Sequence, residues 1–252
     1  MKAVAEPSLS HRFEDGARLG TLLWRFGPGW RMISSAMLGG GIGRRDWVVN
    51  AQVPPGYARM DPIDHLRSIG PRGHGVGMLT AAPVARYATA DDGDARAVAT
   101  VGLGIPTWAA APEDEDHVWA APARPEQIEP GYARPGHAGP VNHAGPVNHV
   151  GTVNHVGTVN IVVAVPVAFC DAALVNAVAT VTEAKTQALI ESGVPGTGTA
   201  SDAVCVAVRE DGPEELFGGP RSEWGSRVAR AVHRAVLEGT RDWYGRAAGP
   251  IG

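Results

Sequence analysis

Lysine is almost absent from this chain of 252 residues: of its 22 basic residues only Lys2 and Lys185 are lysine, so arginine is used nearly everywhere a cation is needed. Aromatic residues make up only 6% and cysteines number two, Cys170 and Cys205, without metal-ligand spacing. A disulfide framework and a cysteine-based zinc site are therefore not indicated, and buried thiols in a reducing cytoplasm are the expectation. No charge of one sign predominates. The net charge of -4 gives no electrostatic case for nucleic acid or an anionic membrane surface. Long apolar runs are missing too. The longest, Ile161 to Cys170, is ten residues with Pro166 inside it, too short to span a bilayer. Met1 to Gly16 is charged and lacks the apolar centre of a signal peptide.

What is present is a soluble-type composition, 44% hydrophobic, with 33 glycines and 20 prolines that imply many turns. The chain is organised around residues 157–208. Gly157-Thr-Val-Asn-Ile-Val-Val-Ala-Val-Pro-Val167 is β-branched and short, as is Ala203-Val-Cys-Val-Ala-Val208. Both read as strands buried on two faces. Between them Asp171 to Glu191 is rich in Ala, Leu, Glu, Lys and Gln and reads as a helix, with Asp171 placed to cap its first turn. Strand, helix and strand make a βαβ crossover.

On that helix Asn176, Thr180, Glu183 and Gln187 fall within roughly 60° of one another and form a polar stripe. Leu174, Val178, Val181, Ala188 and Leu189 form the opposing stripe that faces the sheet, with Lys185 in the middle of the apolar arc. Two readings of Lys185 follow. Its stem packs while the ammonium reaches an edge, or it is a desolvated amine with a catalytic or charge-stabilising role.

Taken in order, residues 1–9 read as a frayed end. Leu19–Phe26 and Trp30–Leu38 read as strands joined by Gly27-Pro-Gly29, which predicts a hairpin running into Gly39-Gly-Gly-Ile-Gly43. That glycine cluster either brings backbone N–H groups to a ligand or makes a tight bend. Trp47–Val53 is a further strand, and Asp61-Pro62 opens a short helix carrying His65, Leu66 and Ile69. Gly73–Ala82 joins a turn bearing His74 to a strand. Val84–Thr89 and Ala95–Leu103 are strands around an Asp-Gly hairpin turn.

Residues 109–136 lose all periodicity and lead into four six-residue units: His137–Asn142, His143–Asn148, His149–Asn154 and His155–Asn160. Their 24 residues are too few to stack into a solenoid core. In an extended chain successive histidines lie about 20 Å apart, so no pair shares a metal ion without folding back. Residues 109–156 are therefore expected to be a loop insert in one domain spanning 10–252. The last element is a helix from Ser222 to about Tyr244, apolar along Trp224, Val228, Ala231, Val232, Ala235 and Val236, with Arg227, Arg230, Arg234 and Arg241 read as a solvated face. The fold class expected is α+β: a mixed β-sheet with hairpins, the βαβ crossover and the C-terminal helix.

Several stretches recur together in one order. They are Ser34-Ser-Ala, Gly39-Gly-Gly, Gly75-Val-Gly-Met-Leu-Thr-Ala-Ala82, Thr100-Val-Gly-Leu103, Gly157-Thr-Val-Asn-Ile161, Ala173-Leu-Val-Asn-Ala177, Thr182-Glu-Ala-Lys-Thr-Gln-Ala188 and Gly196-Thr-Gly-Thr-Ala-Ser-Asp202. In these the chain resembles the adenosylcobinamide amidohydrolases of cobamide salvage over roughly residues 30–105 and 157–240. The insert at 109–156 departs from that family's compact join. The resemblance implies a corrinoid substrate and hydrolysis of the amide linking aminopropanol to the corrin propionate, giving adenosylcobyric acid, without a cofactor.

Site residues are assigned from the chemistry of amide hydrolysis, which needs an activated nucleophile, oxyanion stabilisation and a proton for the leaving amine. Glu183 is expected to activate water, Lys185 or Asp202 to manage protons, and Thr199 to line the acyl group. A hydroxyl nucleophile (Ser35, Thr80 or Thr199) is a rival. Substrate contacts are expected from Ser34, Ser35, Gly40, His74, Thr80, Asn160, Asn176, Thr197 and Ser201. No Gly-x-Ser-x-Gly elbow or metalloprotease helix is present, and no metal ligands are assigned. A noncatalytic corrinoid-binding protein of the same fold is one alternative; a scaffold built on the histidine-rich repeat is another.

Overall fold

The β-branched runs pair into two stacked sheets, with the long helices covering one outer face. The computed structural model describes residues 6–111 and 157–247. The first sheet holds β1 (Ser8–Glu14), β2 (Ala17–Arg25), β5 (Trp47–Gln52) and β6 (Gly75–Thr80), in the order β1-β2-β5-β6. The second has the order β4-β3-β11-β9-β8-β7, from β3 (Trp30–Ser34), β4 (Gly41–Arg44), β7 (Ala88–Asp92), β8 (Ala95–Val101), β9 (Val159–Val165) and β11 (Ala203–Arg209). Two short strands, β10 (Ala168–Phe169) and β12 (Glu214–Glu215), pair separately. The class is α+β, with helices α1 (Pro62–Ile69), α2 (Asp171–Glu191) and α3 (Glu223–Ala247).

Strand alternation explains the layering. One side of the second sheet, with Val98, Val162, Ala164, Cys205 and Met32, packs on Leu22, Trp24, Val48 and Met78 of the first. Its other side, with Ala97, Ile161, Val163, Val206 and Val208, packs on α2 and α3. Because β9 is covered on both faces, every residue of it is buried. Leu174 and Leu189 anchor α2 with no exposed surface. Truncation of either to Ala is worth about 2–5 kcal/mol. Gly193, at a φ of 73° just past α2, supplies the left-handed residue that lets Val194 N–H return to Leu189 O at 3.0 Å.

The crossover is as expected: β9 and β11 are parallel neighbours joined through α2. The β7–β8 hairpin and the apolar stripe of α3 also match. Four expectations are corrected. The strands on either side of Gly27-Pro-Gly29 do not form a hairpin, since β2 and β3 belong to different sheets. The N–H groups of Phe26 and Gly27 bond instead to Asp46 O at 2.8 and 3.0 Å. Of the end read as frayed, Ser8 and Leu9 belong to β1, which pairs with β2 along its whole length. Thr180 is buried, not part of the exposed stripe, and donates to Gly218 O at 2.8 Å. Arg230 and Arg234 are also not merely solvated, because both reach Asp92 on the β7–β8 hairpin, at 2.8 and 3.2 Å. The four repeat units and nearly all of the 109–156 insert fall outside the described residues; only Val159 and Asn160 of the last unit, Gly157 and Thr158 with them, are described.

Candidate active site

A cleft of about 470 Å³ opens at one end of the stacked sheets, where β3, β5 and β6 run out and β9 and β11 begin. Parallel strands in open α/β sheets usually present ligands at their carboxyl ends. Here the cleft lies at the opposite ends of β9 and β11, because the first sheet caps that edge and supplies the other wall. Ser35 and Met37 line it from the end of β3, Thr80 from β6, Thr158 and Asn160 from β9, Ser201 and Asp202 from the approach to β11, and Tyr57 and Arg59 from the 53–61 loop.

Asp202 is the best-held group in the cleft wall. Its Oδ1 accepts from Val159 N at 2.8 Å and Thr199 Oγ1 at 2.6 Å; its Oδ2 accepts from Lys185 Nζ at 2.6 Å and Thr199 N at 3.1 Å. The Lys185 and Asp202 side chains are only 10% and 11% exposed, so the ion pair sits at low solvent access. A buried pair of this kind persists only with excellent geometry and further hydrogen bonds, both of which are met. Glycine at 198 is a condition of it: a Cβ there would lie 2.5 Å from Lys185 Nζ and 2.3 Å from Asp202 Oδ2. Beside the pair, Thr158 Oγ1 and Ser201 Oγ are 2.8 Å apart, and Gly157 O stands within reach of the Thr158, Thr199 and Ser201 hydroxyls.

Beneath the cleft a polar rivet joins the two sheets. Asn50 Nδ2 donates to Thr100 Oγ1 at 2.8 Å, while Asn160 Nδ2 donates to Asn50 Oδ1 at 2.9 Å and to Leu79 O at 3.0 Å. Both Asn160 protons are thereby used, and its Oδ1 is buried without a hydrogen-bond partner among the described residues. An orphaned acceptor of this kind costs stability.

Of the residues named from sequence, Lys185, Asp202, Thr199, Ser201, Asn160, Thr80 and Ser35 gather in or directly behind this wall. Ser34 lies under it, its Oγ donating to Val204 O at 2.9 Å and accepting from Ala36 N at 3.1 Å. Gly40 shapes the bend, where a Cβ would meet Ala36 O at 2.6 Å. Thr197 ties the 196–202 loop to Thr107 and Ala109, its Oγ1 accepting from Ala109 N at 3.1 Å. Three others lie elsewhere. Glu183 is exposed and lines an outer trough between α2 and α3 with Gln187 and His233. Asn176 is exposed beside Gly219, and His74 is exposed outside the cleft lining. Two positions along a helix differ by 200°, so Glu183 and Lys185 point apart. Sequence reasoning missed Thr158, Tyr57 and Arg59. Thr158 had a signal, a polar residue just before an otherwise apolar buried strand; the other two sit in a loop with none.

Among the described residues no three His, Cys, Asp or Glu side chains gather as a metal site, and no helix is long and apolar enough to cross a membrane. A two-sheet α+β scaffold thus sets a buried Lys–Asp pair and a group of hydroxyls at one cleft. The sequence model of the adenosylcobinamide amidohydrolase family matches residues 6–248, and the chain belongs to that family. Comparison with curated proteins gives no match. Membership carries amidohydrolase activity on a corrinoid in cobamide salvage as the family's property.

Proposed function

We propose that this protein hydrolyses the amide joining aminopropanol to the corrin propionate of adenosylcobinamide, releasing adenosylcobyric acid. The observation that carries the reading is Asp202, held by Lys185 behind it, opening with Thr158 and Ser201 onto a cleft that Asn160 also lines. A secondary amide offers both an acceptor carbonyl and a donor N–H. The Thr158 and Ser201 hydroxyl pair faces the carbonyl. As water attacks the acyl carbon, its proton passes to Thr199 Oγ1 while the Thr199 proton crosses the 2.6 Å hydrogen bond to Asp202 Oδ1. Lys185 holds the carboxylate in place and offsets the negative charge that develops nearby.

Size supports the same orientation. A corrin ring with its adenosyl ligand is far larger than 470 Å³, so the amide arm enters while the ring lies across the mouth. Met37 on the lining and Met60 beside it are 53% and 96% exposed, soft apolar groups suited to a flat macrocycle. The proposed setting is the cytoplasm, where thiols such as the unpaired Cys170 and Cys205 stay reduced. Incubating purified protein with adenosylcobinamide tests the reading. Release of 1-amino-2-propanol, with one carboxylate gained on the corrin, is expected. Binding without release leaves the noncatalytic corrinoid-binding alternative.

A further inference from the structure

The rim of the cleft away from Lys185 carries a second chain of polar side chains that the hydrolytic wall does not use. Tyr57, which lines the cleft, has its Oη 2.8 Å from His65 Nδ1, and His65 Nε2 is 2.6 Å from Glu14 Oε1. Glu14 Oε2 accepts from Arg12 Nε at 2.9 Å, and that guanidinium also donates to Thr21 Oγ1 and Gly20 O, each at 3.0 Å. Three separate elements, β1, the 53–61 loop and α1, converge to build it. His65 is 4% exposed, and its ring stacks on that of Tyr57 at 5.6 Å between centroids. An arginine–carboxylate clasp between β1 and its neighbours needs no imidazole. A buried imidazole with one nitrogen on a carboxylate and the other on a cleft-lining hydroxyl is the arrangement by which a hydroxyl proton is held and replaced.

We propose that Tyr57 is the catalytic proton donor to the amine leaving the cleft, with His65 and Glu14 as positioning residues behind it; this rests on the hydrolase reading above. As the C–N bond breaks, its electron pair takes the Tyr57 Oη proton and forms the new N–H bond. The phenolate recovers a proton from His65 Nδ1, and the imidazole is reprotonated from solvent. The proton that Asp202 received from the attacking water returns to solvent, so one water is added across one amide and the protein is unchanged. The charged and titratable groups around His65 suit this transfer. They are Glu14 and Arg12 from β1, Tyr57, Arg59 and Asp61 from the loop, and Asp64 and Arg67 on α1 itself. Burial pushes the Tyr57 phenol up, so it enters the step protonated. Burial pushes Glu14 up as well, but its hydrogen bonds with Arg12 and His65 outweigh that and hold it below the ordinary carboxylate value, ready to steady an imidazolium.

A leaving-group comparison tests this. Adenosylcobinamide releases an amine that must be protonated; the p-nitrophenyl ester of the same propionate releases a phenolate that needs no proton. Tyr57→Phe in the full chain is expected to lower kcat on the amide about 10²-fold, with KM held within a few-fold and turnover of the ester within about three-fold of wild type. His65→Gln should show the same selectivity in milder form. Melting curves accompany each variant, and rates are taken well below every midpoint. Equal losses on both substrates by folded Tyr57→Phe, or no loss on the amide, overturn the proposal while leaving the hydrolase reading intact. If Tyr57→Phe does not fold, a His65→Gln variant that slows both substrates alike overturns it instead. Wild-type protein that cleaves neither substrate overturns the hydrolase reading and this proposal with it.

Discussion

Across α2, two charged side chains two residues apart face opposite environments. Lys185 is held at 2.6 Å from Asp202 with about a tenth of its side chain exposed, and Asp202 carries three further hydrogen bonds. Glu183 is exposed in a trough where Gln187 and His233 both attach to Glu191, each at 2.7 Å. Both clusters look similar as sets of residues, with acids, a base and amide or hydroxyl neighbours. The difference is solvent. In the trough water screens every charge and supplies every proton, so pairs there contribute little. At the cleft wall the pair lies largely out of reach of that screening, and burial strengthens its mutual attraction.

Removing one member of the pair at the wall is the strongest way to break that contrast. Asp202→Asn is expected to lower turnover of adenosylcobinamide on the order of 10²–10⁴-fold, read by release of 1-amino-2-propanol. Lys185→Met leaves a buried carboxylate without its cation and should cost about 3–5 kcal/mol by denaturant unfolding. The double variant Lys185→Met/Asp202→Asn should regain most of that stability and none of the activity, which separates catalysis from folding.

Gly198→Ala probes the same wall with less force. The new methyl would stand 2.5 Å from Lys185 Nζ and 2.3 Å from Asp202 Oδ2, and both are fixed by other bonds. Expected are a loss of about 1–3 kcal/mol and a fall in turnover. Wild-type turnover in this variant would show that the pair tolerates displacement.

A smaller effect concerns acid. Burial pushes Glu14 up, yet Arg12 and His65 leave its folded pKa below the ordinary 4.5. Its stabilisation is therefore present above pH 4.5 and is lost as pH falls through the folded value. Glu14→Gln should melt earlier than wild type at neutral pH, and the gap should close on acidification below 4.5. Smallest of all, Glu183→Gln should leave stability within about 0.5 kcal/mol and turnover near wild type. A large loss of turnover would place the chemistry on the outer face of α2 and reverse the comparison.

Much of the second sheet was legible in the sequence because its strands are buried on both sides and its helices carry clean apolar stripes. The β9–α2–β11 crossover and α3 needed no long-range information. The Lys185–Asp202 association was half legible: a lysine inside an apolar arc demands a partner, and Asp202 begins the strand that arc covers. The faults have local causes. β1 lies at a sheet edge with Phe13 81% exposed, so its residues show no inside-outside alternation. Gly27-Pro-Gly29 has the residues of a hairpin turn, but β3 pairs in another sheet, and the N–H groups of Phe26 and Gly27 are taken by Asp46 O, seventeen positions beyond Gly29. Tyr57, His65 and Glu14 come from three elements brought together by tertiary packing alone, and no spacing rule could have joined them.

The segment at 112–156 begins and ends at fixed neighbours. Before it, Thr107 N bonds Gly198 O at 2.8 Å and Thr197 N bonds Thr107 O at 2.9 Å; after it, Gly102 N bonds Thr158 O at 3.1 Å. Those bonds staple the chain on one side to the 196–202 loop and on the other to the end of β8, so both flanks are clamped by the same body that builds the cleft.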